Sequence, residues 1–298
     1  MNELDRQLAE LVGNSPVQWL DNPFPEPVPI RLFLKRDDLL HPQVSGNKWR
    51  KLKYNLRAAQ DQGFTTLLTF GGAFSNHLYA TAAAGRVFGF RTIGVVRGDE
   101  LALLPRNQTL AFCESCGMHL HFVSRNDYRR KDTPDFIAAL RTEFGLCYVI
   151  PEGGTNELAI RGTAEILPEI ITQLGYEPDY VCCPVGTGGT VSGLALSATN
   201  ETQLLGFMSL KIPEAARSER WLPITTYHFG GYAKTTPDLI NFIRSFERKT
   251  GVLLEQVYTG KMLYGIYDLA RKGYFPEDAT VVAVHTGGLQ GRSEVLDT

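Results

Sequence analysis

From residue 65 the chain repeats one pattern, a short apolar run followed by a stretch whose apolar positions recur every third or fourth residue. The runs are TTLLTF, RTIGVV, HLHFV and CYVI, and between them lie HLYATAAAGRVFG, NQTLAFCESCG and PDFIAALRTEFG. Such runs alternating with helical stretches predict βαβ units and a parallel sheet. Upstream, PIRLFLKR (29–36) alternates as a strand, and the loop DDLLHPQVSGN leads into the helical KWRKLKYNLRAAQDQG. Downstream of PEGGTNE the pattern predicts one long helix from Leu158 to Leu174. The strand YVCCPV, the loop GTGGT opening another helix, and a second alternating series from TQLLGFMSL to ATVVAVH follow. The flanking segments have sheet patterns of their own, which predicts a small α/β domain (52–156) inserted in a larger one built from 1–51 plus 157–298. No short-period repeat or low-complexity tract is visible, so a solenoid is excluded.

Composition narrows the partner. With 298 residues, 43% hydrophobic and 21% charged, the chain can fold as two ordinary globular domains. A formal net charge of −2 provides no global positive field for nucleic acid or an anionic membrane, leaving a small molecule as the expected partner. No apolar run reaches spanning length, and the start MNELDRQLAE is acidic and amphipathic where a signal peptide is basic and then apolar, so a cytoplasmic protein is expected. Five cysteines, an odd number, argue against a disulfide framework. Cys113 and Cys116 form a CxxC with no second pair to complete a zinc site, and His119 and His121 lack a third ligand nearby in sequence, so no metal is expected.

Three loops could carry chemistry. Gly186-Thr187-Gly188-Gly189-Thr190 lies between an apolar strand and a helix of small residues. Its glycines allow close backbone approach, the amides at the helix start point outward, and two threonine hydroxyls add donors, a geometry that suits a phosphate. The dinucleotide fingerprint fails because Val191 stands three residues after Gly188, and no P-loop occurs, which leaves a single phosphate and counts against a nicotinamide-dependent dehydrogenase. The same glycines also suit a plain strand-to-helix turn. In Ser45-Gly46-Asn47-Lys48-Trp49-Arg50-Lys51, Lys48 stands at a helix start, where the helix dipole and the charges of Arg50 and Lys51 favour the neutral, nucleophilic amine. Lys51 is one turn on, able to face a phosphate, although a basic run of this kind is also an ordinary solvated helix face. Gly71-Gly72-Ala73-Phe74-Ser75-Asn76-His77 again joins a strand to a helix, and Ser75 and Asn76 could hold a carboxylate and a phenolate oxygen or simply cap the helix.

Together these segments resemble the pyridoxal-phosphate enzymes of the tryptophan-synthase-β fold type. Within them they resemble the family of 1-aminocyclopropane-1-carboxylate (ACC) deaminase and D-cysteine desulfhydrase. The resemblance runs nearly end to end through KRDDL (35–39), SGNKWRKL (45–52), GGAFSNH (71–77), PEGGTN (151–156), PVGTGGT (184–190), GGYA (230–233), VYTGK (257–261) and HTGG (285–288). It implies a two-domain α/β fold with parallel-rich sheets, helices on both faces and pyridoxal 5′-phosphate as cofactor. By the same resemblance Lys48 carries the cofactor covalently with Asn47 beside it, and Lys51 with Gly186, Thr187, Gly188, Gly189 and Thr190 takes its phosphate. Asn76 meets the ring hydroxyl, Ser75 holds the substrate carboxylate, and Tyr232 and Tyr258 line the substrate side, where a phenol can move a proton. Packing is the other reading of both tyrosines. The fold type also implies a homodimer.

Two positions separate the activities. ACC deaminases of the family resemble one another in carrying Glu after the tyrosine of VYEG and Leu in HLGG, and D-cysteine desulfhydrases carry small hydroxyl residues at both; Thr259 and Thr286 stand here. A carboxylate at the pyridine nitrogen keeps it protonated and the ring a strong electron sink, whereas a hydroxyl leaves it mostly neutral, sufficient for β-elimination. The resemblance thus implies β-elimination and deamination of D-cysteine to pyruvate, hydrogen sulfide and ammonia. ACC deamination and β-elimination from another D-amino acid stay open. A pyridoxal-phosphate-binding protein without turnover is the non-enzyme reading, against which both tyrosines and Ser75 speak.

Overall fold

The computed structural model of the protein describes residues 3–10, 13, 15–44, 46–209 and 220–297, so Ser45 of the SGNKWRKL segment lies outside the described residues. Among the described residues, ten strands form two sheets: β1 (Val17–Leu20), β2 (Ile30–Lys35), β3 (Thr66–Gly71), β4 (Arg91–Arg97), β5 (His119–Val123), β6 (Tyr148–Ile150), β7 (Tyr180–Val185), β8 (Gln203–Met208), β9 (Leu222–Ile224) and β10 (Ala279–Val284). One sheet runs β5-β4-β3-β6, all parallel; the other runs β1-β2-β10-β7-β8-β9, parallel except for the β1–β2 pair. The expected parallel-rich α/β architecture is therefore present.

Period-two alternation explains why the parallel strands read as continuous apolar runs. In β7 and β10, Cys182, Val281 and Ala283 join a core with Phe242, Phe246, Leu263 and Ile266 from the helices Pro237–Thr250 and Thr259–Arg271. Their neighbours Val181, Cys183, Val282 and Val284 join the opposite core, with Ile166, Ile170 and Leu194 from the helices Ile166–Leu174 and Gly189–Ser197. Both faces are covered, so both sets of side chains must be apolar. The four-stranded sheet repeats this arrangement. Leu68, Phe70 and Val95 pack toward Leu140 of the helix Pro134–Phe144, and Val96 packs toward Leu78 and Ala82 of the helix Asn76–Phe88.

The chain divides into two compact units, Met1–Val12 with His41–Gly162 and Gly13–Leu40 with Thr163–Thr298. This partition differs from the expected 52–156 domain, because residues 41–51 and 157–162 pack with the four-stranded sheet. The reason is local: Lys51 and Asn55 hydrogen-bond to the loop after β6, and a Cβ on Gly162 would lie 1.9 Å from the Arg50 carbonyl oxygen. The expected continuous helix from Leu158 to Leu174 is instead two, Glu157–Thr163 and Ile166–Leu174. Pro168 accounts for the break. It donates no hydrogen bond, and its ring would clash with the carbonyl of residue 164 in an unbroken helix. No helix among the described residues is long and apolar enough to cross a membrane.

Candidate active site

In the unit of the four-stranded sheet, the loops that matter leave the carboxyl ends of neighbouring parallel strands, β3 and β6, where open α/β sheets bind ligands. The helix Asn47–Asp61 starts after Gly46, whose φ of 63° is open to glycine and strained for other residues. Lys48 is half-buried, and its Nζ donates to Asn47 Oδ1 at 3.0 Å. One turn on, Lys51 is almost fully buried, and its Nζ donates to Gly153 O (3.0 Å) and Thr155 Oγ1 (3.1 Å). The ammonium expected at a phosphate thus straps the helix to the PEGGTN loop. Asn156 Nδ2 completes the strap by donating to Asn55 Oδ1 at 2.7 Å.

After β3, Ser75 caps the helix Asn76–Phe88, its Oγ accepting from Leu78 N at 3.2 Å, while Asn76 opens the helix half-buried. Gly71 is required behind them, since a Cβ there would meet Ser75 Cβ and Oγ at 2.6 Å. His77 is the residue whose role the sequence leaves open. Thr69 donates its hydroxyl hydrogen to Ile150 O (2.8 Å) and so accepts the proton of His77 Nε2, also at 2.8 Å. The other nitrogen, Nδ1, is then a lone-pair acceptor, buried with no hydrogen-bond partner among the described residues, and it faces Gly154, where a Cβ would come within 3.1 Å. Burial, reinforced by the charges of Lys48 and Lys51, holds the imidazole well below its usual pKa, so it is neutral.

In the unit of the six-stranded sheet, β7 and β10 are adjacent parallel strands, and their carboxyl ends carry the glycine loop and the HTGG loop. Gly188 takes a left-handed φ of 86° directly before the helix Gly189–Ser197, whose first amides have no partner within the helix. Thr163 Oγ1 donates to Gly189 O at 3.0 Å and pins the first turn; Thr190 is buried there and Thr187 is exposed. The Tyr258 ring lies on Gly186, where a Cβ would stand 3.2 Å from Tyr258 Cε1 and 3.3 Å from its hydroxyl. Tyr232, 43% exposed, meets Tyr258 edge-on with centroids 6.0 Å apart. Three expected residues, Gly186, Tyr232 and Tyr258, are therefore gathered in one place. Burial first, then Tyr232 and Glu255, pushes the Tyr258 phenol far above its usual pKa, and it stays protonated at neutral pH. Thr286 is buried at the start of its loop, which His285 fixes: Nδ1 accepts from Gly287 N at 3.2 Å, leaving Nε2 to donate to Leu253 O at 2.8 Å.

Thr259 is placed by a residue that the sequence reading missed. Glu255, 2% exposed, accepts from the backbone amides of Val257 (2.6 Å), Tyr258 (2.9 Å) and Thr259 (2.6 Å), and from the Thr259 hydroxyl (3.0 Å). It closes the N-terminus of the helix Thr259–Arg271 and holds its first turn. Burial pushes the carboxyl up, and these four donors pull against that shift. The signal was present in EQVYTG, where a carboxylate precedes the helix by four residues. Cys113 of the CxxC is buried, and burial pushes its thiol up to about 12, which suits a packing residue.

A family model described as pyridoxal-phosphate dependent enzyme matches residues 8–207. The chain is 32% identical to a Pyrococcus horikoshii protein named "Putative 1-aminocyclopropane-1-carboxylate deaminase", over 93% of this chain and 90% of the relative. It is 31% identical to a bifunctional D-cysteine desulfhydrase/1-aminocyclopropane-1-carboxylate deaminase of Arabidopsis thaliana, over 89% and 74%. A crystal structure of an ACC deaminase homologue superposes with a TM-score of 0.79 at 28% identity, covering 98% of this chain and 96% of that one. The residues present suit the cofactor. In one unit the charge of the half-buried Lys48 amine acts on the buried His77 imidazole, whose Nδ1 has no partner among the described residues; in the other, a glycine loop at a helix start lies under an aromatic ring. The chain therefore belongs to the pyridoxal-phosphate-dependent enzymes, in the family of ACC deaminase and D-cysteine desulfhydrase.

Proposed function

We propose that the protein is a lyase converting D-cysteine and one water to pyruvate, hydrogen sulfide and ammonia. The observation that carries this choice is the pair Thr259 and Thr286, hydroxyl residues at the two positions where the resembling ACC deaminases have Glu and Leu. Thr259 is buried with its hydroxyl bound to Glu255, and Glu255 itself is engaged by three backbone amides, so neither group offers a free carboxylate. The D hand is supported by relatives named D-cysteine desulfhydrase, among them one of Serratia proteamaculans at 28% identity.

Pyridoxal phosphate, when bound, withdraws electrons from the substrate Cα. The residues of this chain supply the rest. The Lys48 amine would hold the cofactor and, once displaced by the substrate amine, would be free to take up the Cα proton. Gly186–Thr190 and the helix start would hold the phosphate, and Asn76 would hydrogen-bond the ring hydroxyl. Ser75 and the first amides of its helix orient the substrate carboxylate. Tyr258, kept protonated by burial, is suited to donate a hydrogen bond to the sulfur as negative charge develops on it, with the more exposed Tyr232 beside it. A homodimer is part of the proposal through the resemblance.

Pyruvate release by cofactor-loaded protein offered D-cysteine, L-cysteine and ACC in parallel tests the reading, with turnover of D-cysteine alone expected. Cleavage of ACC at a comparable rate would overturn it and favour ACC deamination, the activity in the name of the Pyrococcus relative and the second of the two in the name of the Arabidopsis one. Lys48→Ala should abolish both pyruvate release and the visible absorbance of bound cofactor; retention of either refutes the role of Lys48.

A further inference from the structure

The segment carrying Tyr232 follows an unusual backbone path. Phe229 (φ 54°), Gly230 (φ 95°), Gly231 (φ 133°) and Ala233 (φ 55°) all lie in the left-handed region. Two of these are not glycine, and such a path persists only where its surroundings impose it. The imposing group is Lys261, the third residue of the helix Thr259–Arg271. It is 2% exposed, and its Nζ donates to His228 O at 2.9 Å and to Gly231 O at 2.8 Å, bridging the two ends of the strained turn. A second tie runs inside the turn, from Gly230 N to His228 Nδ1 at 2.9 Å.

An ammonium is a costly choice for this position. Burial lowers the Lys261 pKa to about 8, and Glu255, the charged group acting on it, recovers only part of that shift. An apolar side chain of the same length would avoid the desolvation cost and pack in the same space. What it could not do is hold two backbone carbonyls in place.

We infer that Lys261 is a positioning residue, holding the backbone of residues 228–233 so that the Tyr232 phenol is presented to Tyr258 at the substrate side. The inference rests on the proposed catalytic part of the two tyrosines. One helix start therefore serves both, with Glu255 setting Tyr258 and Lys261, two residues further on than Thr259, setting Tyr232.

Lys261→Met, of similar length and without donors, is the test, with Lys261→Gln as a second variant that can still donate to one carbonyl. In cofactor-loaded protein, amide exchange over 228–233 should quicken at least about tenfold in the Met variant, with cofactor retention and exchange in β7 and β10 unchanged. kcat should fall about tenfold with KM within about twofold of wild type, as expected for a misplaced hydrogen-bonding group at the substrate side, and Gln should fall between. Unchanged exchange over 228–233 in either variant overturns the tether. Quickened exchange with wild-type kcat and KM overturns the positioning role. If the wild type turns over neither D-cysteine nor ACC, the proposed function fails, and the exchange result still decides whether Lys261 holds the loop.

Discussion

Glu255→Ala removes one side chain and leaves four donors without their acceptor, the amides of Val257, Tyr258 and Thr259 and the Thr259 hydroxyl. Losing a buried acceptor costs about 1–1.5 kcal/mol for each amide, roughly 4 kcal/mol for the three, while the Thr259 hydroxyl can turn to the residue 255 carbonyl, 3.4 Å away. Removing a buried charge returns about 1 kcal/mol, for a net loss of about 3 kcal/mol. For 298 residues the unfolding entropy amounts to about 0.6 kcal/mol per degree, so Tm should fall by about 5 °C. Glu255→Gln keeps one carbonyl acceptor but turns an amide group toward backbone donors, and should lose about half as much. Differential scanning calorimetry measures both, and titration of the apo-protein with cofactor reports whether the Tyr258 turn is still set. A Tm for Glu255→Ala within about 1 °C of wild type, or a Gln variant no better than Ala, would refute the view that this carboxylate organises the turn. The same geometry bears on any change of specificity at 259. Thr259→Glu would put a second carboxylate against Glu255 in a buried site, so exchange at that position alone should fold poorly.

Gly193→Ala would place a Cβ 2.0 Å from Thr163 Oγ1 and 2.7 Å from the Ala164 backbone nitrogen, so the helix Gly189–Ser197 must shift and carry Gly189 and Thr190 with it. Cofactor affinity should drop at least about tenfold by equilibrium dialysis, and a change under about twofold would mean that this helix start does not hold the phosphate. Lys261 gives a pH signature. Its folded pKa of about 8 lies below that of an exposed lysine, so between pH 8 and about 10 the unfolded chain binds more protons and this group's contribution to stability rises with pH. Urea midpoints of wild type relative to Lys261→Met should therefore increase from pH 7.5 to 9.5, and a flat difference would contradict the buried ammonium.

The sequence alone determined the secondary elements and most of the chemistry-bearing loops. Parallel strands covered on both faces must be apolar throughout, so β3, β4, β7 and β10 are legible as runs, and glycines at 71, 186 and 188 mark the turns where a side chain would collide or strain the backbone. Eight ordered motifs carry the family resemblance by themselves. Tertiary structure decided what pattern cannot carry, namely which groups meet. The long helix expected from Leu158 is split between Thr163 and Ile166, ahead of Pro168, and residues 41–51 pack with the four-stranded sheet because Lys51 finds its acceptors about a hundred residues away, in the loop after β6. Glu255 and Lys261 look like ordinary charged residues in a linear reading; only folding shows them buried on one helix start, one holding Tyr258 and the other the loop of Tyr232. Hydrogen-bond partners distant along the chain leave no periodic trace in it, because side-chain periodicity reports which face is buried and not what is met there.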